Sequence, residues 1–62
     1  MAFIIKYIAD ADIAGIETVH GTLDEAKTAA TKGLLKCNGT RADIMDADDA
    51  KGAPVATVNR DA

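Results

Sequence analysis

The fold is decided by one stretch near the start of the chain, Phe3-Ile4-Ile5-Lys6-Tyr7-Ile8. This stretch holds the only Phe, the only Tyr and three of the six isoleucines in the sequence. β-Branched and aromatic residues favour extended backbone, and no Gly, Pro, Asp or Asn interrupts the run. We therefore predict a β-strand over residues 2–8.

Side chains alternate between the two faces of a strand, so the stretch has two distinct faces. One face is free of charge and is assigned to the core, and it carries Phe3, Ile5 and Tyr7. The other face is also largely apolar, although a Lys lies in its middle, and it carries Ile4, Lys6 and Ile8. A sheet covered by a helix on one side only does not need two apolar faces. The second face is therefore a candidate interaction surface.

The length of 62 residues allows a single small domain, residues 1–62, near the lower limit of independent folding. Thirteen residues are Ala, which bury little area each, so large core side chains are few. Domains this small usually gain stability from a disulfide, a metal or a partner chain. Because Cys37 is the only cysteine, an internal disulfide is excluded, and a reducing compartment such as the cytoplasm is expected.

Charge and hydropathy exclude two classes of partner. The net charge is −3, from ten acids and seven bases, and no basic cluster offers a footprint for a phosphate backbone, so nucleic acid is not expected. The apolar run at the N-terminus is far shorter than the about 20 residues that cross a bilayer, and no charged segment precedes it. We expect a soluble protein that needs no cofactor and binds no membrane.

The first half of the remaining chain has clear signals for a strand and a helix. Residues 9–15 are small and polar and predict a loop, and residues 16–20 alternate as an edge strand would. Thr22 followed by Glu25 forms a capping box, and it predicts a helix over residues 22–37. Asn38-Gly39 offers the left-handed residue that ends a helix.

The second half predicts a hairpin. Residues 41–46 alternate weakly as a strand, residues 47–53 have the composition of a loop, and Pro54 opens a strand over residues 55–58. The order is β-β-α-β-β, an α+β fold with one helix packed on a four-stranded, mainly antiparallel sheet. Because the first strand is the most apolar, we place it inside the sheet, in the strand order 2-1-3-4.

The order of elements, the Thr-x-Asp-Glu-Ala helix start at residues 22–26 and the Asn-Gly helix end resemble small bacterial β-β-α-β-β domains of unknown function. The resemblance implies a helix laid on one face of an antiparallel sheet and supplies no catalytic residue. It departs from the pattern at the second hairpin, where the segment from Asp46 to Gly52 is longer than a tight Asp-Gly turn.

Two residues, Cys37 and His20, are candidates for catalytic or metal-binding groups. Cys37 lies at the negative end of the predicted helix, which raises the pKa of a thiol. We interpret it as a small apolar residue at the end of the helix stripe, which is the core-facing row Leu23, Ala26, Ala30, Gly33, Leu34 and Cys37. His20 is the only histidine and immediately precedes the helix. A helix of this length would separate His20 from Cys37 by about 24 Å, which excludes a Cys–His pair within one chain.

The acidic loops are candidate cation sites. Asp46, Asp48 and Asp49 resemble the opening of a calcium loop, but Lys51 stands where that loop needs Gly and Thr57 where it needs Glu. If the loop with Asp10 and Asp12 pointed to the same end of the molecule, the two loops together would weakly attract a cation. No phosphate loop or paired metal cysteines occur in the sequence.

We therefore expect an interaction module, acting as a homodimer or as an accessory subunit. The expected interface is the second face of the sheet, with Ile4, Lys6, Ile8 and Met45. Pairing of edge strands is the alternative mode of dimerisation. The alternative function is a small enzyme with a site completed between subunits by His20 and the acidic loop residues. Leu35 lies about 150° from the centre of the helix stripe and is expected to face solvent.

Overall fold

The computed structural model describes residues 1–49 and 52–60 of the chain. Within these ranges it contains four strands and one α-helix, in the order predicted from the sequence. They are β1 (Ala2–Ala9), β2 (Asp12–His20), α1 (Leu23–Cys37), β3 (Arg41–Asp46) and β4 (Ala56–Asn59), and a short 3-10 helix, Ala47–Asp49, follows β3. The α+β class and the β-β-α-β-β order are thereby confirmed.

The strands form one antiparallel sheet in the order β2-β1-β3-β4. The predicted strand order is confirmed, with β1 inside and β2 at an edge. Because β1 is the most apolar strand, the central position removes more of its surface from water than an edge would.

The core lies between the sheet and α1. Three side chains of β1 face the helix, and Ile5 is fully buried while Phe3 and Tyr7 are each 5% exposed. The helix meets them with small residues, and its buried positions are Ala26, Ala30 and Leu34. Two of these three residues are alanines, and small side chains let a helix approach a sheet closely.

The connection between β1 and β2 differs from the predicted loop over residues 9–15. β2 begins at Asp12, so Asp10 and Ala11 alone make the turn. Both have left-handed backbone, with φ of 52° and 71°, as the central residues of a type I′ hairpin turn do. The prediction was wrong because the small and acidic residues near the turn have loop composition, yet they continue the pairing with β1.

A β-bulge follows this turn. Tyr7 pairs with Gly15, whereas the next residue, Ile8, pairs with Ile13, so Ala14 is the extra residue. The bulge shifts the register by one residue, so Ile13 lies directly opposite Ile8 on the same face of the sheet.

The helix begins and ends as the sequence predicted. The Glu25 N–H donates to Thr22 Oγ1 over 3.2 Å, and the Thr22 N–H donates to Glu25 Oε1 over 3.4 Å, which completes the capping box. Asn38 takes the left-handed conformation at the C-terminal end, with φ of 56°. Leu35 is 69% exposed, which agrees with the expected solvent-facing position.

The last strand lies one residue later than predicted. β4 spans Ala56–Asn59, and Val55 precedes the ladder, although its N–H already donates to the Ile44 carbonyl over 2.8 Å. Part of the loop predicted over residues 47–53 is the 3-10 helix, where the Asp48 N–H donates to Asp46 Oδ1 over 2.9 Å. Residues 50 and 51 of that predicted loop lie outside the described residues.

Candidate functional site: the uncovered face of the sheet

The face of the sheet opposite α1 is here called the outer face. In an antiparallel ladder, directly paired residues share a face, so the register defines its members. The paired residues on the outer face are Ala2, Ile4, Lys6 and Ile8 of β1; Ile13, Ile16, Thr18 and His20 of β2; Arg41, Asp43 and Met45 of β3; and Thr57 and Asn59 of β4.

Four isoleucines of β1 and β2 gather on this face and form what we call the isoleucine patch: Ile4, Ile8, Ile13 and Ile16. Ile13 lies directly opposite Ile8 and is 59% exposed, and Ile16 lies opposite Lys6 and is 61% exposed. Ile4 and Ile8 are half-buried. Sequence reasoning missed the two β2 members, because it placed Ile13 in a loop and did not derive the register of β2.

Met45 was expected to contribute to the interface. It pairs with Ile4 and therefore lies on the outer face, as expected. However, only 8% of Met45 is exposed, so the chain itself already covers it. The accessible apolar surface accordingly comes from β1 and β2.

The charges on the outer face lie in two adjacent rows. Lys6 of β1 is directly opposite Asp43 of β3. The Asp43 carboxylate is held by Arg41 Nε at 3.1 Å and by the Thr57 hydroxyl at 3.4 Å. Asp43 is therefore the acidic neighbour that can balance the charge of Lys6 on this face.

His20 lies at the opposite end of β2 from the Asp10–Ala11 turn, because it pairs with Ala2 at the start of β1. Asp46 pairs with Phe3 and so lies at the His20 end of the sheet. The two acidic loops are therefore at opposite ends of the sheet and do not share a cation. No group of three or more His, Cys, Asp or Glu side chains in the described part of the chain has the geometry to hold a metal ion.

Cys37 is the last residue of α1 and is half-buried against the core cluster. It is a free thiol that packs with its apolar neighbours, as the sequence interpretation held. His20 precedes α1 and Cys37 ends it, so the length of the helix lies between these two residues.

Tyr7 and Glu17 form a contact that the sequence did not predict. The Tyr7 hydroxyl donates to Glu17 Oε1 over 2.6 Å and also lies 3.4 Å from the Ala29 carbonyl oxygen. Burial beneath the helix, the hydrogen bond to Glu17 and the negative charge of that carboxylate raise the pKa of the Tyr7 phenol well above its usual value. The contact fastens β1, the edge strand and the helix together at one point.

The surface of α1 carries one open depression of about 440 Å³, which is lined by Asp24, Glu25, Thr28, Ala29 and Lys32. All five residues belong to the helix, so no second element encloses a ligand there. None of the helices in the described ranges has the length and apolar character needed to cross a membrane.

No protein-family model, no curated protein and no solved structure matches this chain.

Proposed function

We propose that this chain is a non-enzymatic interaction module that forms a homodimer by packing two outer faces against each other. The observation that supports this most directly is the isoleucine patch, in which two of the four side chains are about three-fifths exposed. Contiguous apolar patches on small soluble domains usually mark an interaction surface. A chain with few large core residues gains from such packing the stability that a disulfide would otherwise supply.

The area of the outer face suits a weak dimer. The four strands have eight, nine, six and four residues, and at about 4.8 Å between strands and about 3.3 Å per residue they present a face of about 430 Å². Two such faces in contact would bury about 860 Å² in total, which is the size of weak or transient interfaces. The dimer is therefore expected to be of modest affinity, with micromolar dissociation.

The charges of the outer face suit a two-fold arrangement. Lys6 lies between Ile4 and Ile8 and beside Ile16. Packing of two outer faces would therefore bury its ammonium group among apolar side chains unless an acid were within reach. A two-fold axis near Lys6 allows its ammonium to approach the partner's Asp43 as well as its own. Glu17 points to the helix side and adds no repulsion between the two faces.

Two matched substitutions test the proposal. Ile16→Lys and Leu35→Lys both replace an exposed aliphatic residue by Lys, but Ile16 lies on the outer face and Leu35 on the helix. Sedimentation velocity over a range of concentrations should show a dimer for the wild type and for Leu35→Lys, and a monomer for Ile16→Lys. Ile4→Asp should also give a monomer.

Two results would contradict the proposal. A wild-type monomer at high micromolar concentration removes the dimer altogether. A dimer that persists in Ile16→Lys and Ile4→Asp but is lost in Leu35→Lys places the interface on the helix instead. Circular dichroism of each variant confirms that any change in sedimentation occurs in a folded chain.

A further inference from the structure

In the described part of the chain no strand pairs with the outer edge of β2, which presents a regular row of backbone groups. Along a strand, the N–H and C=O of successive residues point to alternate sides. The Gly21 N–H donates to the Met1 carbonyl over 2.8 Å, so the odd-numbered residues of β1 and β2 face each other. The even-numbered residues Ile16, Thr18 and His20 therefore direct their backbone groups away from the sheet.

An independent bond confirms this alternation. The Ile8 carbonyl accepts the Thr40 N–H over 2.7 Å, on the β3 side of β1. Even-numbered residues of β1 thus bond toward β3, and odd-numbered residues bond toward β2. The two hydrogen bonds, one near each end of β1, thus indicate the same alternation of backbone groups.

This edge has only part of the usual protection against added strands. Natural edges are blunted by short length, by Lys or Pro, by a bulge or by a charged residue that points inward, and Glu17 is such a residue. β4 at the other edge has only four residues, whereas β2 has nine, with neither Lys nor Pro. Its bulge lies at Ala14, near the turn, so residues 16–20 remain a regular and open template.

The side of the helix above β2 carries more acids than bases. The Tyr7 hydroxyl reaches both Glu17 of β2 and the Ala29 carbonyl, which places the Ala29 side of α1 above this edge. The open depression of about 440 Å³ lies on the same side of α1, and its charged lining residues are Asp24, Glu25 and Lys32. A strand added to β2 would direct alternate side chains toward these acids.

We propose that the free edge of β2 binds an extended segment of a partner protein whose alternate side chains are basic and point toward the helix. The backbone groups of Ile16, Thr18 and His20 would bond to the segment, and Glu17 would select Lys or Arg at the facing position. A second copy of β2 suits the edge less well, because the two Glu17 carboxylates would lie diagonally opposite each other when Thr18 pairs with its copy. The net charge of −3 also favours a basic partner over another copy.

The probe is the capped, fluorescently labelled peptide Lys-Thr-Lys-Val-Lys-Thr-Lys, titrated with the full chain and followed by fluorescence anisotropy. We expect saturable binding that weakens as salt is added. N-methylation of the central Val, whose N–H would bond to β2, should lower affinity by about tenfold or more, since it removes a hydrogen bond and adds a clash. N-methylation of the neighbouring Lys, whose N–H would face solvent, should change it little.

Variants of the chain give the reciprocal test. Thr18→Pro removes an outward N–H and should lower affinity as strongly, whereas Thr18→Val should not. Glu17→Gln keeps an oxygen acceptor for Tyr7 and should weaken binding about two- to fivefold, the range of one cross-strand charge pair. Should Thr18→Pro fail to fold, the pair of N-methylated peptides decides the question with the wild-type chain.

Three results would overturn the inference: no binding of the peptide, equal effects of the two N-methyl groups, or equal binding of a peptide with Glu in place of Lys. Sedimentation of the same samples separates it from the proposed dimer. A monomer that binds the peptide refutes only the packing of outer faces. A dimer that does not bind the peptide refutes only the proposed use of the edge.

Discussion

Gly33 of α1 leaves the space that the phenol of Tyr7 fills. A Cβ added at Gly33 would overlap the Tyr7 hydroxyl and lie 2.6 Å from its Cε1 atom, closer than real Cβ atoms approach. Because Tyr7 sits between the helix and the sheet, neither group has room to move without opening the core.

Gly33→Ala is therefore expected to destabilise the protein. Ala is the better helix former by about 1 kcal/mol, but overpacking a core costs about 1–3 kcal/mol, and the clash involves a ring held on two sides. Urea unfolding should show the loss. In a Tyr7→Leu background the same substitution should cost much less, and equal costs in the two backgrounds would show that the two residues are not coupled.

Alkaline pH should weaken the fold through Tyr7. Its pKa is raised in the folded state by burial and by Glu17, so the folded chain prefers the protonated phenol. This stabilisation is complete below the unfolded pKa of about 10 and is lost as pH rises above it. The free energy of unfolding should fall above about pH 10, and Tyr7→Phe should lack that part of the fall.

The ionisation itself is directly visible. Tyr7 is the only tyrosine and the chain has no tryptophan, so ultraviolet absorbance of the phenolate reports this side chain alone. The folded protein should show no phenolate at a pH where the urea-unfolded chain is half ionised. Identical titration curves for the folded and unfolded chains would contradict the buried hydrogen bond to Glu17.

The turn between β1 and β2 offers a stabilising substitution. Ala11 has φ of 71°, and left-handed backbone costs a residue with a Cβ about 1–2 kcal/mol relative to glycine. Ala11→Gly should raise the melting temperature, because type I′ turns favour Gly at this position. Ala14→Gly is the matched control: Ala14 does not have positive φ, so the change should lower the melting temperature.

Loss of the capping box should destabilise α1. Thr22→Ala removes the oxygen that accepts the Glu25 N–H and should cost about 1 kcal/mol, as cap losses do. Thr22→Ser keeps a hydroxyl and should cost much less. An unchanged melting temperature for the Ala variant would mean that packing of α1 on the sheet fixes the helix start without the cap.

The features that were predicted correctly are those set by neighbours in sequence. The alternation at Phe3, Ile5 and Tyr7 fixed the core face of β1, and the Thr22–Glu25 pair fixed the helix start, because each depends only on residues a few positions apart. The central position of β1 followed from its high content of large apolar residues.

The features that were missed depend on backbone conformation and on register. Nothing in the sequence Asp10-Ala11 indicates that Ala11 adopts left-handed backbone, so the tight turn and the bulge behind it could not be derived. Without them the position of Ile13 opposite Ile8 was hidden, and so was the diagonal approach of Glu17 to Tyr7. Met45 was assigned to the correct face, but its burial depends on tertiary contacts that no local pattern reports.

The place of β1 between β2 and β3 also governs how the chain folds as it leaves the ribosome. β1 is synthesised before the two strands that flank it, and β2 can pair with it immediately through the tight turn. The backbone groups that β1 directs toward β3 stay unpaired until residues 41–46 have emerged, after the whole of α1. β1 thus waits through the synthesis of the whole of α1 for its second partner, and a truncated chain ending before β3 would expose its most apolar strand to aggregation.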